Sequence, residues 1–156
     1  MTNFTNTRAA ARSSAASPLV LVLEDHEDTR ILLRALLEMK GYCVLEAVDG
    51  EDAVRQAETL TPDLILMEGS LPRIDGFSAM RLIREDEGLL RVPVIFLSGH
   101  ALPAAREAAF AYGCDDYLTK PLDTDQLYHT IEKHITQRKP LALVKNGANL
   151  FGRDTT

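Results

Sequence analysis

The chain has 156 residues, 46% of them hydrophobic and 26% charged, with a formal net charge of −6. That apolar share supports one buried core, and the acid excess argues against direct nucleic-acid binding, which needs a basic face. No run of about 18 apolar residues is present, and the first residues lack the apolar stretch of a secretory signal, so no membrane partner and a cytoplasmic location are expected. Cys43 and Cys114 belong to no CxxC or His-containing metal spacing and are expected as two small buried hydrophobes.

Residues 1–17 are rich in Ala, Ser, Thr and Asn, carry Arg8 and Arg12 without an acid, and read as a flexible arm. Leu19-Val20-Leu21-Val22-Leu23 is an unbroken apolar run ending in Glu24-Asp25, the pattern of a strand covered on both faces. Glu27 or Asp28 then opens a helix whose apolar positions Ile31, Leu32, Ala35, Leu36 and Met39 recur at helical spacing, and Gly41 closes it. Tyr42 to Ala47 is predicted as a second strand. Asp49 follows as N-cap of a helix carrying Ala53, Val54, Ala57 and Leu60, which Pro62 ends.

The third strand is Leu64-Ile65-Leu66-Met67, closed by the carboxylate of Glu68. Phe77, Met80, Leu82 and Ile83 mark a third helix that frays near Gly88, and Pro93 to Leu97 a fourth strand leading to Ser98-Gly99-His100. Pro103 suits the first turn of a fourth helix ending near Gly113. A short fifth strand, Asp116 to Thr119, runs into Lys120-Pro121, and Asp123 caps a fifth helix that turns Leu127, Ile131 and Ile135 inward. Beyond Arg138 the periodicity stops, which leaves 18–138 as the domain and 139–156 as a tail with apolar patches at Leu141-Ala142-Leu143-Val144 and Leu150-Phe151. Strand and helix alternate five times with short links, and that beat demands an α/β, doubly wound parallel sheet with helices on both faces.

Polar residues close nearly every buried strand: Glu24 and Asp25, Glu68, Ser98, Lys120. In an open α/β sheet these ends share one rim, where ligands bind. Oxygen ligands with room for water suit Mg²⁺, and clustered carboxylates need a cation to offset their repulsion.

The stretch Asp63-Leu64-Ile65-Leu66-Met67-Glu68-Gly69-Ser70-Leu71-Pro72-Arg73-Ile74-Asp75-Gly76 resembles the phosphorylation loop of two-component response-regulator receiver domains. Glu24-Asp25, Ser98-Gly99 and Lys120-Pro121 match that family's other motifs in order. The resemblance implies a five-stranded, flavodoxin-like receiver fold with strand order 2-1-3-4-5 and five helices. It implies Mg²⁺ held by Glu24, Asp25, the acceptor carboxylate and the backbone carbonyl of Ser70. It also implies that Lys120 and Ser98 bind the phosphoryl group, that Ser98 and Tyr117 form the switch, and that the Lys120–Pro121 peptide is cis. The implied partners are a sensor histidine kinase or phosphotransfer protein that donates the phosphoryl group. Downstream, a protein is expected on the face of the fourth helix, fifth strand and fifth helix, with a homodimer there as a further possibility. On that face Arg106, Glu107, Asp125, His129, Glu132 and Lys133 mix their charges.

One residue departs from the family. Glu68 stands where the phospho-accepting aspartate is expected, and its carboxylate reaches about 1.3 Å further along the side chain. In-line attack on phosphorus tolerates little misplacement, an error of about 1 Å costing around 10²-fold. The expectation is therefore a stand-alone receiver, not an enzyme, with impaired phosphotransfer. Two consequences compete: Glu68 imitates the phosphorylated state in part, with about one negative charge against nearly two on a phosphoryl group, or it pairs with Lys120 and locks a resting form; the domain is accordingly expected as a phosphomimetic or a phosphorylation-independent pseudo-receiver. The rival reading is a Mg²⁺-dependent phosphohydrolase of similar topology, which lacks here both a second acid at position 70 and any capping segment. His26 and His100 lie near the rim, His100 where the family controls water access.

Overall fold

The computed structural model describes residues 17–69 and 76–137. The N-terminal arm, the Ser70 carbonyl and the C-terminal tail of the sequence reading lie outside the described residues, as do Pro72 and Asp75. Within them, β1 (Leu19–Leu23), β2 (Cys43–Ala47), β3 (Leu64–Glu68), β4 (Val94–Ser98) and β5 (Asp116–Thr119) alternate with α1 (Glu27–Met39), α2 (Gly50–Leu60), α3 (Gly76–Glu85), α4 (Pro103–Ala111) and α5 (Thr124–Gln137). A single 3-10 turn, Glu87–Leu89, follows α3. The sheet has the order β2-β1-β3-β4-β5, with every adjacent pair parallel. This is the expected α/β architecture.

Parallel strands alternate their side chains between two covered faces. Leu21, Leu23, Ile65, Met67, Val94, Phe96 and Tyr117 point to one face. They pack there with Ala53 and Ala57 of α2, Ala79, Met80 and Ile83 of α3, and Ala109 of α4. Val20, Val22, Leu64, Leu66, Ile95, Leu97 and Leu118 point to the other, against Leu33 and Leu37 of α1 and Leu127 and Ile131 of α5. The run-like sequences of β1, β3 and β4 follow from this double cover. Small alanines on α2 and α3 let those helices approach each other closely.

Local chemistry sets the ends of the elements. Gly41 takes a positive φ of 87° after α1. Asp49 Oδ1 accepts from the Asp52 N–H at 2.9 Å, and Asp123 Oδ1 from the Gln126 N–H at 2.9 Å, so both acids cap as expected. Far from the rim, Arg84 ties the base of the sheet together. Its guanidinium donates to the carbonyls of Gly113 at 3.0 Å and Val92 at 2.8 Å and pairs with Asp115 at 2.8 Å.

Three details differ from the sequence reading. On α1 the buried residues are Leu33 and Leu37, whereas Ile31, Leu32 and Met39 are exposed. Ile31-Leu32-Leu33 fall in a row, so helical spacing fits more than one face, and only the partner sheet decides between them. β2 starts at Cys43 rather than Tyr42, and β4 runs one residue beyond the expected Leu97 to Ser98. Cys43, expected to be buried, is exposed because β2 is an edge strand; Cys114 is buried just before β5 at the opposite edge.

That asymmetry predicts thiol reactivity. Burial, aided by the charges of Asp115 and Asp116, pushes the Cys114 thiol up to about 12, leaving almost no thiolate at neutral pH. Iodoacetamide treatment of the native protein, followed by peptide mass mapping, should label Cys43 promptly and Cys114 only after denaturation.

Candidate functional site

Because all the strands run parallel, their carboxyl ends open on one rim. β1 leads directly into Glu24 and Asp25, β3 ends at Glu68, β4 at Ser98, and Lys120 follows β5. Glu24 is fixed first through its backbone: its N–H donates to the Ala47 carbonyl at 3.1 Å, and its carbonyl accepts from Arg30 Nη1 at 2.9 Å. Arg30 in turn stands 3.6 Å from Glu46 on β2. The Lys120 N–H donates to the Ser98 carbonyl at 2.7 Å, and the Lys120–Pro121 peptide is cis.

From these anchors the Lys120 side chain extends across β4 to meet both acids. Its Nζ donates to Glu24 Oε1 at 2.8 Å and also pairs with Glu68 Oε2. The Glu24 and Glu68 side chains are only 1% and 9% exposed, so little water reaches either carboxylate. Burial pushes the Glu24 carboxyl above its ordinary pKa, and the Glu68 charge adds to this while Lys120 pulls it back. Burial works against the Lys120 ammonium, but hydrogen bonds to Glu24 and Glu68 outweigh it and hold its pKa above that of a free lysine. A buried ion group of this kind persists only with close geometry and satisfied oxygens.

A second set lies toward β5. Ser98 is buried, and its Oγ accepts from the His100 N–H at 3.1 Å. Tyr117 is 5% exposed with its ring directed inward beside Phe96, and its hydroxyl donates to the His100 carbonyl at 2.7 Å. One peptide segment, around residue 100, therefore touches both residues expected to form a switch.

Residues 20–132 match the family described as the response regulator receiver domain. The chain belongs to that family. As a receiver domain of two-component signalling it is 32% identical over 116 residues to the polar-differentiation response regulator DivK of Brucella ovis, covering 74% of this chain and 94% of that protein. It is 37% identical over 110 residues to the DNA-binding dual master transcriptional regulator RpaA of a Synechocystis strain, covering 70% of this chain and 46% of RpaA. The chain thus spans about half the length of that regulator, and likewise of the regulator PhoP of Bacillus subtilis. Among solved structures it resembles the receiver domain of sensor histidine kinase PA1611 from Pseudomonas aeruginosa, at TM-score 0.74 and 38% identity, over 78% of this chain and all of that one. That structure has a magnesium ion coordinated in its active-site cleft.

Carboxylate oxygens are the right kind of ligand for Mg²⁺. Their placement is not, because Glu24 and Glu68 both turn an oxygen to Lys120, and Asp25 is exposed. Among the described residues no three His, Cys, Asp or Glu side chains are grouped to hold a metal ion. As arranged here, the described residues do not fit the metal.

Of the expected site residues, Glu24, Glu68 and Lys120 come together in one cluster and Ser98 and Tyr117 converge on residue 100, while Asp25 is exposed. His26 is exposed and contributes its backbone N–H, 3.4 Å from Glu24 Oε2. Arg30 and the backbone of His100 were not singled out as structural links. Arg30 lies six residues beyond Glu24, and contacts made through a main chain leave no mark in side-chain identity.

Close approach to the backbone accounts for Gly76 of the receiver domain. A Cβ on Gly76 would sit 2.5 Å from the Glu68 carbonyl oxygen and 3.0 Å from Gly69 Cα, whereas one on Gly99 meets nothing within 4 Å. Gly76→Ala should therefore cost about 1–3 kcal/mol by displacing the end of β3, and Gly99→Ala less than about 0.5 kcal/mol. Urea unfolding of both variants beside the native chain measures the difference.

Proposed function

We propose that this chain is a signalling receiver in which Glu68 occupies the phospho-acceptor position and phosphoryl transfer is impaired. The observation that supports this reading is the pairing of Glu68 with Lys120 at the end of β3. Transfer needs a carboxylate oxygen to attack phosphorus in line, forming a C–O–P linkage as the P–N bond to the donor histidine breaks and its electron pair returns to the ring. Glu68 starts with its nucleophilic oxygen tied to an ammonium and its arm one methylene long, both of which oppose that approach. Because its charge is largely matched by Lys120, its imitation of a phosphoryl group is partial.

In this reading Lys120 and Ser98 remain the groups that face the acceptor, and Tyr117 reports their state through the segment around His100. The molecule acts by protein contact, in the cytoplasm, and not by turnover. Receiver domains interact with histidine kinases or other proteins. Here a cavity of about 360 Å³, lined by Thr29, Leu32, Leu36, Pro121 and Leu122 and bordering Lys120, gives a phosphodonor protein an apolar seat beside the site. For output, α4 exposes Phe110, with the Arg106 guanidinium 5.1 Å from its ring centre, and Tyr112 follows. That surface suits a downstream protein or a second copy of the chain on the α4–β5–α5 face.

Incubation with acetyl phosphate and Mg²⁺, followed by intact-mass measurement, tests the proposal. The native chain should gain no phosphoryl group in the time in which Glu68→Asp gains one, a rate difference of about 10²-fold or more. Prompt labelling of the native chain overturns the reading.

A further inference from the structure

We propose that Phe96 is a positioning residue that couples the backbone just after position 68 to the ring of Tyr117, by a contact that does not pass through Ser98. The inference rests on the reading of Tyr117 as a switch ring and deepens it, but the coupling is one of packing and involves no phosphoryl step.

Three segments meet at the Phe96 ring. The residue lies on β4 and is 1% exposed. A Cβ on Gly69, the residue that follows Glu68, would sit 2.5 Å from Phe96 Cε1, and one on Gly76 3.1 Å from its Cε2. The end of β3 and the start of α3 thus press bare backbone against both sides of the ring's tip. Gly69 is held in that place by its N–H, which donates to the Leu97 carbonyl at 3.0 Å. The ring also stacks with Phe77 of α3, 4.9 Å between centroids, and with Tyr117 of β5, 6.0 Å away and within 12° of parallel. Phe77 meets Tyr112 in turn at 5.0 Å, so the stack runs from beneath residue 69 to an exposed ring after α4.

Sterics give this contact a direction. A close-packed interior passes a displacement on rather than absorbing it. Phe77 already stands near the short end of the distances at which aromatic rings pack, and Tyr117 toward the long end. A shift of the Gly69 backbone toward the ring therefore finds its slack on the side of Tyr117. The Tyr117 ring leans on Phe96 while its hydroxyl is tied to the His100 carbonyl at 2.7 Å, so moving Phe96 works against that hydrogen bond. Glycine at 69 is the counterpart of phenylalanine at 96, and a side chain at 69 calls for a smaller residue at 96.

Nitration by tetranitromethane with peptide mass mapping reads the accessibility of Tyr117. Tyr128 on α5 serves as internal standard, and protection of Cys114 from iodoacetamide marks an intact core. Gly69→Ala should speed nitration of Tyr117 at least about twofold, the lower end of the coupling expected between residues in contact. In the Phe96→Leu background the same Gly69→Ala change should leave the Tyr117 rate unaltered. If Gly69→Ala does not fold, the reverse direction serves: Tyr117→Ala should speed hydrogen exchange of the Gly69 amide at least about twofold, and should not do so in the Phe96→Leu background. A Tyr117 rate that Gly69→Ala leaves unmoved, or moves equally in both backgrounds, overturns the proposal. So does a Gly69 amide indifferent to Tyr117→Ala, or equally affected in both backgrounds. Neither arm contains a phosphodonor, so failure of the phosphotransfer reading is told apart from failure of this one.

Discussion

One ammonium group between two buried carboxylates governs this site. Glu24 and Glu68 cannot both be ionised in a nearly dry pocket without a cation, and among the described residues Lys120 is a cation that meets both. Both pKa values move upward from that placement, for different reasons. Burial raises the Glu24 carboxyl, and the two acids together hold the Lys120 proton more firmly than water would. The charge state of both carboxylates is tied to this clamp.

The fold exists in a form that makes the clamp possible. Parallel strands bring their carboxyl ends to one side, and the order β2-β1-β3-β4-β5 places β1 and β3 next to each other with β5 two strands further on. Lysine is long enough to cross that interval. Its backbone is pinned to Ser98, and Glu24 is pinned to β2 and α1, so neither end of the contact drifts. Helices on both faces exclude water from the strands that carry the acids. Stability and electrostatics are thus set by the same layers.

Much of this was legible in the residues. Buried parallel strands need continuous apolar runs, which made β1 and β3 plain, and acids at their ends marked the rim. The five-fold alternation required the architecture, although the order of strands came from a family resemblance. Less visible was the working face of α1, where Ile31, Leu32 and Leu33 compete at helical spacing and only Leu33 is buried. The exposure of Cys43 depended on β2 lying at an edge, a tertiary fact. The site itself was half readable: side-chain identities pointed to Glu24, Glu68 and Lys120, but not to which of them would be satisfied by which. Arg30 reaches a backbone carbonyl, that of Glu24, and His100 acts through its own main chain, so in neither contact do two side-chain identities mark the pair.

The central claim is a statement about one proton-bearing nitrogen. Heteronuclear NMR on protein labelled at lysine nitrogen observes it directly, with Lys120→Arg used to assign the resonance. A slowly exchanging ammonium that keeps its protons above the pH at which free lysine loses them, and that persists in millimolar Mg²⁺, is the result this account predicts. A rapidly exchanging Lys120 signal with the titration of an ordinary surface lysine would contradict it.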